Sequence, residues 1–506
     1  MKNFWQKHWS NIVLVFILLA GIFLRFWNLN STPGWWPDEG VYLNIANNLL
    51  HGKAQMLSFS YPFVPHPPLY FIIVAGFIKF FGYKMIAIRL ASAVMGTILI
   101  YIVYLIGKSI NKIGLGLIAA FFVAVMPEMV VFSRYGLTYN LLILLIGLVI
   151  YFTISYTYTN NNKYLVWGAL LSGLALVTSY SGIVLVAFWF ILLFYHYLLN
   201  KITWEKLLSK SILLAGPFLV YLGWELLFNH DSFIHDIIYT LGRNFESSSI
   251  NSFIQAIISL NIYLVFGFLG LLFLPKNIKY WVILLFIMII GSEYFMRGGF
   301  VWYSTTYIFI LYFGLASFID FITNYETEKI NNKSLKKLVY LGIILIVIGA
   351  LSLNNIFDLY FKISNKNWLE AKLNIPQERI FSVDNKGQIY LDEAINYINS
   401  RVTAVDTVVS SPQFSWMINA KPSDPILSYV YRGKSTTNFT DDMKSSGRFI
   451  YDPSYEKAKF LLDDKFMRNW YYNQNGIRYC ILDDIYTNWT RVYEKGDIRI
   501  FKNPNY

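Results

Sequence analysis

Apolar runs of about 18 residues or more recur along most of this chain, and a run of that length must be shielded from water by a bilayer or by a very large core. Lipid offers the backbone no hydrogen-bond partners, so each run has to close its own ladder as a helix. The chain therefore reads as a polytopic helical membrane protein. Composition agrees, at 56% hydrophobic, 19% aromatic and only 14% charged residues. The first run, Ile12 to Phe26, follows only Lys2, Lys7 and His8, and it leads into Trp27-Asn28-Leu29-Asn30 rather than a small-residue cleavage site. It reads as a retained helix, not a signal peptide. The net charge of +12 points to topology rather than to nucleic acid, because the basic residues fall mainly between apolar runs. Cys480 is the one cysteine, which excludes an internal disulfide framework and a CxxC metal site.

Eleven spans are expected, at roughly 11–29, 86–107, 113–128, 137–157, 163–178, 181–199, 210–228, 256–274, 280–296, 302–322 and 338–354. The stretch 67–82 is as apolar as these but is assigned to the interface. If it crossed, Lys108, Lys112, Lys163, Lys201, Lys206, Lys210, Lys276 and Lys279 would all lie outside, against the positive-inside bias. Lying flat, it leaves those lysines and Lys329, Lys333, Lys336 and Lys337 cytoplasmic. The N-terminus is then inside, and residues 30–85, 129–136, 179–180, 229–255, 297–301 and everything after about 355 are outside.

The domains expected are a membrane domain over 1–354 and a small extracytoplasmic α/β domain over 355–506, where charges become frequent and apolar runs short. In the second, Asp392–Arg401 reads as a helix, and Thr407–Val409, Ile477–Leu482 and Ile498–Phe501 as strands. Asn438-Phe439-Thr440 and Asn488-Trp489-Thr490 are sequons. No internal repeat is evident, which counts against a secondary transporter.

The chemistry is expected in the first outer loop, where Trp35-Trp36-Pro37-Asp38-Glu39-Gly40-Val41-Tyr42 sets two carboxylates against the bilayer surface. Ionisable groups there are costly unless they bind or react. One reading is a solvated loop start beside an interfacial tryptophan belt; the other is a general base for an acceptor hydroxyl. Arg25 either orients a carboxylate, meets a phosphate or snorkels. In Pro65-His66-Pro67-Pro68-Leu69-Tyr70 the prolines stiffen the loop, and His66 is a phosphate donor, a metal ligand or a loop histidine. Arg89 lies where a lipid phosphate would be, or anchors the interface. Glu128 and Arg134 return to the same face, and their mutual ion pair is favoured over a metal shared with Asp38, since a divalent site needs several oxygen ligands. Arg297, Tyr303 and Tyr307 group a guanidinium with two phenols, a fitting phosphate clamp. His230-Asp231 and His235-Asp236 form a weaker metal candidate.

The order Arg25, Trp36-Pro37-Asp38-Glu39, Tyr42, Pro65-His66-Pro67-Pro68-Leu69-Tyr70, Phe81-Gly82 and Arg89-Leu90 resembles the N-terminal region of the GT-C membrane glycosyltransferases. The branch it is most similar to holds the protein O-mannosyltransferases and lipid A aminoarabinose transferases, and the motif likeness covers about the first 140 residues. The resemblance implies in-plane helices in the first outer loop and a polyprenyl-phosphate-linked sugar donor used at the outer face. It implies Asp38 as the base with Glu39 beside it, and Arg134, Arg297, Tyr303 and Tyr307 near the donor phosphate. Acceptors are protein, lipid or glycan at the plasma membrane. No cofactor is required, and a divalent metal, with Glu128 as its candidate ligand, is optional. Two departures stand out: His66 occupies a position that is lysine in aminoarabinose transferases, and Ser179-Tyr180-Ser181-Gly182 replaces a lysine-bearing turn. The competing classes are an oligosaccharyltransferase-like enzyme, a lipid-linked sugar flippase and a non-catalytic scaffold.

Overall fold

The computed structural model describes residues 2–53, 57–62, 66–242, 264–297, 305–328, 381, 385–433, 448–471 and 481–506, with the single positions 342 and 349. Helix α1 (Lys2–Phe26) leads to α2 (Pro37–Leu50), the antiparallel pair β1 (Leu57–Ser58) and β2 (Tyr61–Pro62), and α3 (Leu69–Phe81). The bundle continues through α4 (Met85–Ser109), α5 (Ile113–Val125), α6 (Pro127–Phe132), α7 (Tyr139–Thr159), α8 (Asn162–Leu176), α9 (Ile183–Leu198) and α10 (Trp204–Phe228). It then runs through α11 (His230–Gly242), α12 (Leu264–Gly270), α13 (Lys276–Arg297) and α14 (Thr305–Glu328).

Among the described residues, 6 helices are long and apolar enough to cross a membrane: His8–Phe26, Met85–Ser109, Tyr139–Thr159, Tyr180–Leu198, Trp204–Phe228 and Thr305–Asn324. The other expected spans at 113–128, 163–178, 280–296 and part of 256–274 are also helical, as α5, α8, α13 and α12. The expected span at 338–354 lies outside the described residues apart from positions 342 and 349, and so does the domain boundary near 355.

Helix α3 has 13 residues, so it is about 20 Å long against a hydrocarbon core of about 30 Å. Like α5, which also has 13 residues, it is a shorter apolar helix and not one of the six above. Tyr70, Phe71, Val74, Ala75 and Ile78 face the protein, while Ile72, Phe80 and Phe81 are exposed.

Helix α4 packs against α1, α5 and α7. Glycines permit the closest approaches: a methyl on Gly107 would lie 2.3 Å from the Gly116 Cα, joining α4 to α5. Helices α12 and α14 meet the same way, since a methyl on Gly314 would fall 2.1 Å from the Gly267 carbonyl oxygen. Small residues at such crossings let backbones touch, which matters where lipid supplies no hydrophobic drive between helices. At the bundle end away from α2, Lys112 bonds Asp320 at 2.7 Å and ties the α4–α5 turn to α14.

The C-terminal region contains α15 (Asn385–Asn399), β3 (Thr407–Ser410), β4 (Lys421–Ser423), α16 (Pro425–Tyr431), β5 (Ala458–Asp463), α17 (Leu482–Asn488), β6 (Thr490–Lys495) and β7 (Ile498–Lys502). Its mixed sheet runs β4-β3-β5-β7-β6, parallel for β4, β3 and β5 and antiparallel for β7 and β6. Alternate residues point to opposite faces of a strand. Val408, Phe460, Leu462, Ile498 and Ile500 thus join the core that is continuous with the bundle. Val409, Leu461 and Phe501 cover a second core with Leu482, Ile485 and Trp489. The α/β expectation holds, with two corrections. Helix α15 starts earlier than expected, at Asn385. Of the expected strand Ile477–Leu482, residues 477–480 lie outside the described residues, and Leu482 opens α17. Leu482 and Ile485 bury one helical face at a spacing of three.

Replacing Gly314 by valine should separate α12 from α14. The melting temperature of the detergent-solubilised protein should fall, for a loss of at least about 2 kcal/mol, as overpacking against backbone requires.

Candidate active site

Helix α2 begins at the residues singled out by composition. Trp36 is its N-cap, Pro37 takes the first helical position, and Asp38 and Glu39 occupy the first turn. Proline suits that position because its missing N–H would find no helical partner there, and carboxylates suit the positive end of the helix dipole. The two acids then part company. Asp38 is exposed, while Glu39 is fully buried. The Glu39 carboxylate accepts from the Trp36 N–H (3.0 Å), the Gly136 N–H (2.8 Å), and Arg89 Nε and Nη2 (2.8 and 2.6 Å).

Arg89, near the start of α4, is equally buried. Its remaining donors go to the carbonyls of Leu29 (3.1 Å), Pro33 (2.7 Å) and Gly34 (2.9 Å). Every guanidinium N–H is thereby satisfied. Arg134 donates to the carbonyls of Leu24, Trp27 and Thr32, and Arg25 to those of Gly21, Val123 and Ala124. The three arginines expected at a donor phosphate are thus placed inside the protein. Arg89 has every donor engaged there, whereas Arg25 and Arg134 donate to backbone oxygens and the buried Arg25 Nε has no partner among the described residues. Both Glu39 oxygens are engaged by these donors, while the Asp38 side chain is exposed at the start of α2.

The C-terminal domain rests on this helix. A methyl on Gly40 would lie 2.0 Å from the carbonyl oxygen of Pro412. Trp35 forms an isolated bridge with Phe381 and packs its indole against Phe381, Phe414 and Trp416. Its Nε1 donates to the Asn30 carbonyl at 2.9 Å. Both tryptophans are buried, at 1% and 8% exposure, and Trp35 plugs the seam between α2 and the C-terminal domain. Just past the carboxyl ends of β3 and β5, Asp464 accepts from Ser411 and from Gln413 Nε2 and holds the turn that touches Gly40. Burial pushes the Asp464 carboxyl above the ordinary range, and the Ser411 hydroxyl works against that rise. None of this was visible in the sequence, where Gly40 and Pro412 are far apart and the tryptophans suit a membrane surface equally well.

The other expected residues are distributed as follows. His66 Nε2 lies 3.1 Å from the Tyr42 hydroxyl, one helical turn along α2 from Asp38. Glu128 accepts from the Tyr312 hydroxyl at 2.9 Å; the expected Glu128–Arg134 pair gives way because Arg134 is turned to carbonyls. Tyr307 is buried at the start of α14, edge-on to Phe286. Arg297 ends α13, but its side chain, like Tyr303, lies outside the described residues. His230 meets only the solvent-facing Asp231 among its ion-pair partners, the His235 side chain lies outside the described residues, and Asp236 pairs with Arg448 at 3.1 Å. Among the described residues, no group of three or more His, Cys, Asp or Glu side chains is arranged to hold a metal ion.

Glu39→Gln should leave Arg89 buried without its counter-charge and cost about 3–5 kcal/mol. Arg89→Lys should come close to this, because a single ammonium cannot replace the fork. Both should be read as lowered melting temperatures, with Asp38→Asn melting like wild type. Gly40→Val should push the Pro412 turn off α2, and increased protease cleavage between the domains would register the release.

Residues 65–225 match the family model described as dolichyl-phosphate-mannose-protein mannosyltransferase. An uncharacterized protein of Aquifex aeolicus is 27% identical over 222 residues, 42% of this chain and 43% of that protein, so the match spans less than half of that relative. Among solved structures, ArnT from Cupriavidus metallidurans bound to undecaprenyl phosphate is similar over 98% of both chains, with a TM-score of 0.68 at 12% identity. The oligosaccharyltransferase AglB from Archaeoglobus fulgidus, in complex with an inhibitory peptide and a dolichol-phosphate, matches 99% of this chain and 74% of its own (TM-score 0.57, 14% identity). Arabinofuranosyltransferase AftD from Mycobacteria matches 98% of this chain and 40% of its own (TM-score 0.51, 12% identity). At these identities the likeness is one of fold. This chain is a multi-pass membrane protein with the GT-C fold of these glycosyltransferases, a helical bundle carrying a small C-terminal α/β domain.

Proposed function

We propose that this protein is an inverting glycosyltransferase that moves a sugar from a polyprenyl-phosphate-linked donor to an acceptor hydroxyl at the outer face of the plasma membrane. One observation carries the reading. Of two adjacent carboxylates, one is locked into the scaffold by Arg89 while the other, Asp38, is exposed at the rigid start of α2. A base on an element fixed by its own neighbour is held in register with what it must deprotonate. The family-model match over 65–225 and the undecaprenyl phosphate and dolichol-phosphate bound by the similar folds support a lipid-linked donor.

In the reaction Asp38 takes the proton of the acceptor hydroxyl as its oxygen attacks the anomeric carbon. The bond from that carbon to the phosphate oxygen breaks on the opposite face, and the lipid phosphate leaves with the electron pair. Cationic or hydroxyl donors at the phosphate would stabilise that charge. His66, held by Tyr42 one turn from Asp38, is the best placed of the described candidates, and Arg297, Tyr303 and Tyr307 are proposed to complete the set. No cofactor is needed in this scheme. The N-terminus is assigned to the cytoplasm and the sheet domain to the outside, with protein, lipid or glycan acceptors and no nucleic-acid partner.

Purified protein in liposomes, with labelled mannosyl-phosphoryl polyprenol and a cell-envelope acceptor extract, tests the reading. Asp38→Asn should fold normally and lose transfer by about 10²–10⁴-fold, the usual worth of general-base catalysis. Undiminished transfer by that variant would remove Asp38 from the mechanism. His66→Ala should lower the rate less, by about tenfold, through the weakened leaving group.

A further inference from the structure

A cleft of about 410 Å³ opens between the second half of α2 and the edge of the C-terminal sheet. That volume is within the ~300–1,000 Å³ usual for small-ligand sites. One wall is Asn44, Asn48, Lys53 and Phe59; the other runs from Ile418 to Pro422, with Ala404 and Tyr451. We infer that this cleft binds the distal part of the acceptor, and that it selects a short oligosaccharide bearing a phosphate or carboxylate. The inference rests on the glycosyltransferase reading above and adds to it the acceptor class and the residues that select it.

The walls are prepared for such a ligand. The Asn44 side chain is tied down on both sides: its Nδ2 donates to the Tyr83 hydroxyl (3.1 Å), and its Oδ1 accepts from Asn48 Nδ2 (3.0 Å) and the Phe59 N–H (2.8 Å). Asn48 Oδ1 in turn accepts from Lys53 Nζ at 3.2 Å, which steadies that ammonium at the rim. Across the cleft the Lys421 ammonium sits 5.6 Å from the centre of the Tyr451 ring. Among the described residues, both charges lining the cleft are positive and no aspartate or glutamate lines it. Asp406 and Asp424, which flank the second wall in sequence, are engaged elsewhere. Asp406 binds Thr403 and Lys459, while Asp424 caps α16 through the Leu427 N–H. Amides, phenol and ammonium groups are what a hydroxyl-rich anion requires, and the fixed amide wall lowers the ordering cost of binding it.

The cleft also disfavours a peptide. Strand β4 is the sheet edge, where an extended peptide would add as a further strand. Pro422 sits in that edge without an N–H, and its carbonyl already accepts from the Tyr451 hydroxyl. The backbone ladder a peptide would use is therefore broken there.

Helix α2 joins the cleft to the chemistry. At 1.5 Å per residue, Asn44 and Asn48 lie about 9 and 15 Å along the axis from Asp38. An acceptor with its hydroxyl at Asp38 reaches the lysines with a charged group a few sugar units away. The helix then serves as a ruler for which hydroxyl is glycosylated.

The test is binding of fluorescent mannotriose and its phosphorylated form to the full-length protein in phosphatidylcholine nanodiscs. Wild type should prefer the phosphorylated probe. Lys53→Ala/Lys421→Ala should weaken that probe by roughly tenfold, as the loss of two close charges implies, and Lys53→Arg/Lys421→Arg should restore it. Equal binding of both probes, no binding of the phosphorylated probe by wild type, or indifference to the double alanine change would each overturn the inference. So would stronger capture of an acidic peptide, or displacement of the probe by phosphatidylglycerol in the disc, which would make the cleft a lipid headgroup site. Lysine-dependent binding without sugar transfer would sink the enzyme reading alone; transfer without lysine dependence would sink the cleft alone.

Discussion

The buried Glu39–Arg89 pair is the contact on which the end of the molecule around α2 depends. Taking two charges out of water is expensive, and the expense is met only when every lone pair and N–H is used. Here it is. Glu39 gathers the N-cap of α2 and the Gly136 amide, while Arg89 gathers the carbonyls of Leu29, Pro33 and Gly34. One ion pair thereby sets the position of α2 relative to α4 and to the loop before α7. The geometry is intolerant of side chains nearby: a methyl on Gly136 would fall 2.6 Å from Ile88. Arg25 and Arg134 extend the same device, spending cations on backbone oxygens that would otherwise be buried without partners.

A helix fixed this firmly can serve two neighbours. Its first turn presents Asp38, and its outer flank receives the C-terminal domain at Gly40 and Trp35. The Asp464–Ser411–Gln413 cluster braces the turn that makes this contact. The apolar core runs without a break from the bundle into the sheet, so the C-terminal domain is part of the frame that positions the loop. The cleft between the second half of α2 and β4 lies along the same helix as Asp38.

Much of the architecture was legible before any coordinates. Long apolar runs yield helices because lipid leaves the backbone no alternative. The lysine distribution set α3 apart from the expected spans, and the fold makes it a helix of 13 residues, as short as α5. Alternating apolar residues marked β3 and β7. Less was legible in the C-terminal domain: the strand expected over 477–482 ends on Leu482, which the fold makes the first residue of α17.

The site divides along the same line. The sequence by itself determined that carboxylates and arginines gather at the ends of apolar runs, because uncompensated charge is excluded from the bilayer and polar residues there need a reason. It also placed Asp38 and Glu39 in one turn of one helix. Only the tertiary structure decided which acid is presented and which is sealed. Adjacent residues in a first turn point in directions about 100° apart, and the buried one is whichever meets Arg89, fifty positions away. The arginines, indistinguishable in sequence from phosphate ligands, became fasteners for the same reason. A guanidinium binds whatever oxygens the fold brings to it, and here the fold brings its own backbone.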